Sequence, residues 1–158
     1  MGKAIKTFAP PFKPMFDPAP AKSAPPMGTS AERGEYLARY VANCFGCHTN
    51  FDPVSLEQIG EDWGGGAEME PVPLPGVDPK QWVRSPNLTS HPTGVLKNFP
   101  DADAWVKRFR AGRQIEVSYM HWGPFSRMAE DDLVAIYEYL KTVPPVDAEV
   151  GEIVVKLE

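Results

Sequence analysis

With 158 residues the chain has room for one domain and a tail or linker, and its 18 prolines and 13 glycines predict much irregular backbone. The formal net charge of −5 argues against nucleic acid and against a polybasic membrane contact. Hydrophobic residues make up 42%, enough for a core, yet no run of about 18 apolar residues offers a membrane span.

Residues 1–28 contain Pro10, Pro11, Pro14, Pro18, Pro20, Pro25 and Pro26, which favour extended, polyproline-like chain over helix. Phe8, Phe12, Met15 and Phe16 add apolar groups that a purely solubilising tail would not need. The segment therefore reads as a tail or as a docking strap. Met1 to Lys13 has no apolar region of signal-peptide length.

A helix is expected from Thr29 or Ser30, both good N-caps, with Glu32 and Glu35 near the positive end of the helix dipole. Tyr36, Leu37, Tyr40 and Val41 recur at helical spacing and predict its apolar face. Gly34 is poor by helix propensity, so its expected use is close approach of another helix.

The helix leads into Cys44-Phe45-Gly46-Cys47-His48. Two cysteines three positions apart, followed directly by histidine, form the attachment signature of a c-type haem. Each thiol adds to one vinyl group of the porphyrin, and the imidazole then lies under the iron as proximal ligand. A Cys-x-x-Cys pair alone also suits a redox dithiol or half a zinc site. A zinc site here must recruit from His48, His91 and His121, and no βαβ pattern surrounds the motif. One cysteine pair permits one covalent haem. Because such attachment usually takes place outside the bacterial cytoplasmic membrane, a periplasmic or exported location is expected, with no signal or anchor visible in this chain.

From Thr49 to Pro100 the periodicity dissolves around Gly64-Gly65-Gly66 and Pro71, Pro73, Pro75 and Gly76. A macrocycle against which loops pack accounts for so long an irregular stretch. Trp63, Leu74, Trp82 and Leu88 are candidates to line it or to pack under the loop. Asp101 then caps a helix over 102–111 with Trp105, Val106 and Phe109 on its apolar side and Gly112 at its end. Residues 114–128 read as loop. The last helix is expected over 130–142, with Glu130, Asp131 and Asp132 in its first turn, a stripe of Leu133, Ile136, Tyr137 and Leu140, and a stop at Pro144 and Pro145. Residues 153–157 are compatible with a terminal strand or a disordered end.

The iron's sixth ligand separates electron carriers from reactive haem proteins. Candidates are Met69, His91, Met120, His121 and Met128. Met120, on a loop before the last helix, can reach the haem face opposite His48, and His121 is its main rival.

Taken together, these segments resemble class I cytochromes c, in particular the monohaem domains of dehydrogenase cytochrome subunits. The family's G-x-Y-L before C-x-x-C-H is matched by Gly34-Glu35-Tyr36-Leu37. Its S-P-N-I-T segment is matched by Ser85-Pro86-Asn87-Leu88-Thr89, continuing to Thr93-Gly94-Val95. R-x-G-R is matched by Arg110-Ala111-Gly112-Arg113, and the M-P-[WYF] ligand motif by Met120-His121-Trp122, with histidine in place of proline.

The resemblance implies an all-α, class I cytochrome c-like fold, with few helices and long irregular loops around one covalent haem c. It implies a cytochrome c domain over 29–146, between the proline-rich segment 1–28 and a tail over 147–158. Haem would be held by Cys44, Cys47, His48 and Met120, the iron by His48 and Met120. Met128 is expected to pack the last helix against the core, and His91 to be an exposed loop residue. A proline carbonyl, Pro73 or Pro75, is expected to accept the second ring N–H of His48, and Gly34 to cross the last helix near Tyr137. The function implied is a non-enzymatic carrier of single electrons between redox proteins. A relay subunit locked in a respiratory or dehydrogenase complex is the alternative. A haem enzyme or gas sensor fits less well, because no distal His–Arg pair is evident.

Overall fold

The Ser30 hydroxyl accepts a hydrogen bond from the Arg33 amide at 3.2 Å and so opens the first helix. In this computed structural model the described residues are 23–157, so most of the expected docking strap lies outside them. Helix α1 spans Ala31–Tyr36 and runs on as one π turn, Leu37–Val41. A π turn holds more residues per revolution than an α turn and rotates everything after it. The expected apolar seam is displaced accordingly: Gly34, Leu37 and Ala38 are buried, while Tyr40 and Val41 are 61% and 57% exposed. Asn43, in the left-handed region at φ 51°, then reverses the chain into α2, Cys44–His48. Asparagine is one of the few residues besides glycine that tolerates this conformation.

Asp101 caps α3, Ala102–Arg110, by accepting from the Ala104 amide at 2.8 Å. A short helix α4, Trp122–Phe125, follows, and α5 covers Glu130–Leu140. The expected faces of the last two long helices are the buried ones: Trp105, Val106 and Phe109 on α3, and Leu133, Ile136, Tyr137 and Leu140 on α5.

Helix α1 crosses α5 at Gly34, where an added Cβ would come within 1.9 Å of the Ala135 carbonyl oxygen and 2.7 Å of the Tyr139 Cβ. The glycine contact is the expected one, but its partners are Ala135 and Tyr139, not Tyr137. Residues four apart share a helix face, whereas Tyr137 lies on the other side. There its hydroxyl donates to the Phe99 carbonyl at 2.9 Å and its ring packs 6.0 Å from Trp105 of α3.

The helical architecture agrees with the expected class, with one addition. Strands β1 (Glu68–Met69), β2 (Gln81–Arg84) and β3 (Val154–Lys156) form an antiparallel sheet in that order, pairing Met69 with Val83 and Trp82 with Val155. Residues 154–156 are thus a strand. Elements of two to four residues are too short to show alternation in sequence. Trp63 and Leu88 join the helical core. Leu74, 48% exposed, and Trp82 instead line a groove of about 430 Å³ beside the sheet with Pro71, Pro73 and Val77. Among the described residues no helix is long and apolar enough to cross a membrane.

Candidate haem site

Helix α2 consists of the five motif residues themselves, so the fold presents Cys44, Cys47 and His48 on little more than one helical turn. Phe45 anchors that turn. Its ring is buried edge-on to Trp63 at 5.2 Å and under the Arg39 guanidinium at 4.3 Å. Arg39 is itself held by Asp62 at 3.1 Å and by the Tyr139 hydroxyl at 2.9 Å.

His48 is buried, and its Nδ1 lies 2.9 Å from the Pro86 carbonyl oxygen. A carbonyl only accepts, so Nδ1 carries the proton and Nε2 keeps the lone pair. Burial holds the imidazole below its ordinary value, with the hydrogen bond to the Pro86 carbonyl acting the other way. A neutral histidine with one nitrogen engaged is the form that ligates metals. The acceptor corrects the expectation of Pro73 or Pro75: those prolines are exposed in the loop before β2, while Pro86 lies two residues beyond the end of β2.

Cys44 and Cys47 are not joined in a disulfide. Burial pushes the Cys44 thiol up to about 12 and raises Cys47 as well, although Cys47 is the more exposed residue. Redox-active dithiols have lowered values, so this environment disfavours dithiol chemistry. Among the described residues no group of three or more His, Cys, Asp and Glu side chains gathers to hold a zinc ion.

The Ser85–Gly94 segment is a buried polar scaffold. Asn87, fully buried, donates to the Val146 carbonyl at 2.8 Å and to Thr93 Oγ1 at 3.2 Å, and its Oδ1 accepts from the Thr89 amide at 2.8 Å. Thr89 Oγ1 accepts from the Val146 amide at 3.1 Å. His91, expected to be an exposed loop residue, is instead half-buried. Its Nδ1 lies 2.9 Å from Thr93 Oγ1 and 3.6 Å from Asp147.

Met120 is half-buried against the core cluster that Cys44 also flanks. Its loop is shaped from within: Ser118 Oγ accepts from the Met120 amide at 3.4 Å and from Trp122 Nε1 at 3.1 Å, and Arg113 donates to the Ser118 carbonyl. The Arg108 guanidinium stacks 3.9 Å over the Trp122 ring. His121 has φ −76° and ψ 59°, and the Trp122 amide donates across it to the Met120 carbonyl at 2.8 Å, an inverse γ-turn. That φ is one proline also adopts, so histidine replaces it without reshaping the turn. The His121 ring is exposed, 6.1 Å from each of the Tyr119 and Phe125 rings. Met128 packs half-buried against the core, as expected, and Met69 lies on β1.

These residues fit a covalently held haem in their donor chemistry: two neutral thiols on one turn, an imidazole with its outer nitrogen engaged, and a thioether against the same core. One feature escaped sequence reasoning. The Trp105 indole N–H is buried with no acceptor among the described residues. Such a donor costs about 1–3 kcal/mol unless a bound group supplies an acceptor. In sequence Trp105 reads only as one member of an apolar helix face.

No family model matches the chain. The cytochrome c subunit of the quinone alcohol dehydrogenase of Gluconacetobacter polyoxogenes is 31% identical over 147 residues, covering 87% of this chain and 30% of that protein. The corresponding subunit of Komagataeibacter europaeus matches to the same extent. The fructose dehydrogenase cytochrome subunit of Gluconobacter japonicus is 28% identical over 137 residues, 84% of this chain and 24% of that protein. The chain thus spans less than a third of the length of these relatives, and such relatives imply haem c. Motif order, helical fold and sequence similarity together identify the chain as a cytochrome c similar to the cytochrome subunits of dehydrogenase complexes.

Proposed function

We propose that the chain is a monohaem c-type cytochrome that carries single electrons for a dehydrogenase, on the exported side of the cytoplasmic membrane. The observation that carries this reading is His48: buried, neutral, and fixed by Pro86 so that Nε2 is the nitrogen left for a metal. When bound, the haem supplies a one-electron iron couple. Cys44 and Cys47 would tether it through thioether bonds, and His48 and Met120 would ligate the iron. The backbone of α2 and the Pro86 carbonyl hold the imidazole in one tautomer and orientation. The tied loop around Ser118 and Trp122 fixes the main chain from which the Met120 thioether would reach the iron. An iron held by both His48 and Met120 would exchange an electron with little rearrangement and would offer no open position to a substrate.

The relatives' names support a dehydrogenase as electron donor and a place as an electron-relay subunit in such a complex. The acidic chain suits a partner with a basic docking patch. The test is the intact mass of the denatured protein after expression with haem-attachment machinery. One haem is expected to persist in denaturant and to vanish when Cys44 and Cys47 are both changed to serine. A haem that dissociates on denaturation would contradict the reading.

A further inference from the structure

The segment Trp63–Gly66 lies between α2 and the Ser85–Leu88 stretch and is bonded to both. On the α2 side, the Gly65 amide donates to the His48 carbonyl at 2.9 Å, and the Trp63 amide donates to Thr49 Oγ1 at 3.1 Å. On the other side, the Gly66 amide donates to the Ser85 carbonyl at 2.8 Å, and the Leu88 amide to the Trp63 carbonyl at 2.8 Å. Three of these four residues have left-handed backbone: Trp63 at φ 65°, Gly65 at 72° and Gly66 at 88°. For a fully buried tryptophan that conformation is strained, and it persists only where its surroundings enforce it.

Within Trp63–Gly66, Gly65 also makes the closest approach to its surroundings. A Cβ there would stand 2.5 Å from the Pro86 carbonyl carbon, 2.5 Å from the Ser85 carbonyl oxygen and 2.6 Å from the Asn87 amide nitrogen. All three are backbone atoms, which cannot swing aside as a flexible side chain would. Gly65 therefore touches both ends of the His48–Pro86 hydrogen bond: the main chain of the donor through its amide, and the peptide of the acceptor through the space its missing side chain leaves.

We infer that Gly65 is a positioning residue for the proximal ligand, setting the strength of the His48 Nδ1–H···O=C bond to Pro86 and hence the reduction potential. The inference rests on the proposed role of His48 as iron ligand. A strong bond at Nδ1 gives the imidazole more electron density and stabilises the oxidised iron. A side chain at Gly65 pushes the Pro86 peptide away, weakens that bond and moves the potential upward.

Holoprotein carrying Gly65→Ala is expected to show a higher midpoint potential and exchange of the His48 Nδ1–H faster by about tenfold, the loss of roughly one hydrogen bond. Gly66→Ala is the matched control. It incurs the same left-handed strain, but its Cβ would meet nothing closer than 3.8 Å, so potential and exchange should stay at the parent values while stability falls. Should Gly65→Ala yield no holoprotein, Thr49→Val decides. It removes the acceptor of the Trp63 amide without a collision, and is expected to shift both readouts in the same direction by less. Parent-like potential and exchange in Gly65→Ala, or equal shifts in Gly66→Ala, would overturn the inference, as would parent-like values in Thr49→Val if that variant has to decide. Absence of covalent haem from the parent would instead overturn the proposed function, leaving the two failures distinguishable.

Discussion

His48 and Pro86, 38 residues apart in sequence, are joined at 2.9 Å by a hydrogen bond from Nδ1–H to the main-chain carbonyl. The bond sits where burial keeps the imidazole neutral, so His48 refuses a proton that the unfolded chain would accept near its ordinary value of 6.5. A depressed folded-state value contributes stability that is fully present above the unfolded value and is lost as pH falls below it. In the chain without haem, where the Nε2 lone pair of His48 is free, denaturant unfolding between neutral and mildly acid pH should therefore show stability declining once pH drops past that point. A flat profile there would count against a buried neutral His48. Asp52 adds a later loss at lower pH, because the Ser55 and Val54 amides depress its carboxyl.

Gly34→Ala separates two effects of opposite sign. Helix propensity alone would reward alanine by about 1 kcal/mol. The crossing with α5 leaves no room for even a methyl group against the Ala135 carbonyl. Packing should win, and the variant should lose roughly 1–3 kcal/mol in a urea titration. A stabilised variant would mean that α1 and α5 do not cross here.

Asn87→Ala should be among the most damaging single changes. It strips three hydrogen bonds from a fully buried site, leaves the Thr89 amide unmatched and leaves the Val146 carbonyl with only the long 3.5 Å bond from Thr93 Oγ1. A loss of about 2–4 kcal/mol is expected. Hydrogen exchange at the Val146 and Ala148 amides should speed up together, because both bond into this network.

His121→Pro should be mild. The turn already has φ −76°, and both the Trp122-to-Met120 and Phe125-to-His121 hydrogen bonds use main-chain atoms that proline retains. Stability within about 1 kcal/mol of the parent is expected, with the absorption spectrum unchanged. Thermal unfolding and the visible spectrum check both. A large spectral change would point to the His121 ring as iron ligand.

The sequence was legible where chemistry or periodicity is local. The five motif residues stand together on α2, and the stripes of α3 and α5 are buried as their spacing implies. It failed where one residue's conformation redirects its neighbours. The π turn after Tyr36 rotates Tyr40 and Val41 to the surface, and nothing in their hydrophobicity signals it. The proline that meets His48 was likewise hidden: Pro73, Pro75 and Pro86 look alike in a proline-rich loop, and only tertiary packing over Gly65 selects the last. Tyr137 and Tyr139 sit two apart on α5, so choosing which one faces Gly34 needs the helix rotation that packing sets. The Asn87 network is carried by residues whose polarity alone reads as ordinary turn chemistry.

The central claim is that a haem held at Cys44 and Cys47 is ligated by His48 and Met120. Its most direct test is the absorption spectrum of the oxidised protein beside Met120→Ala and His121→Ala. The parent should show the thioether-to-iron charge-transfer band, Met120→Ala should lose it, and His121→Ala should keep it. A parent without the band, or one in which Met120→Ala leaves it intact, would contradict the assignment.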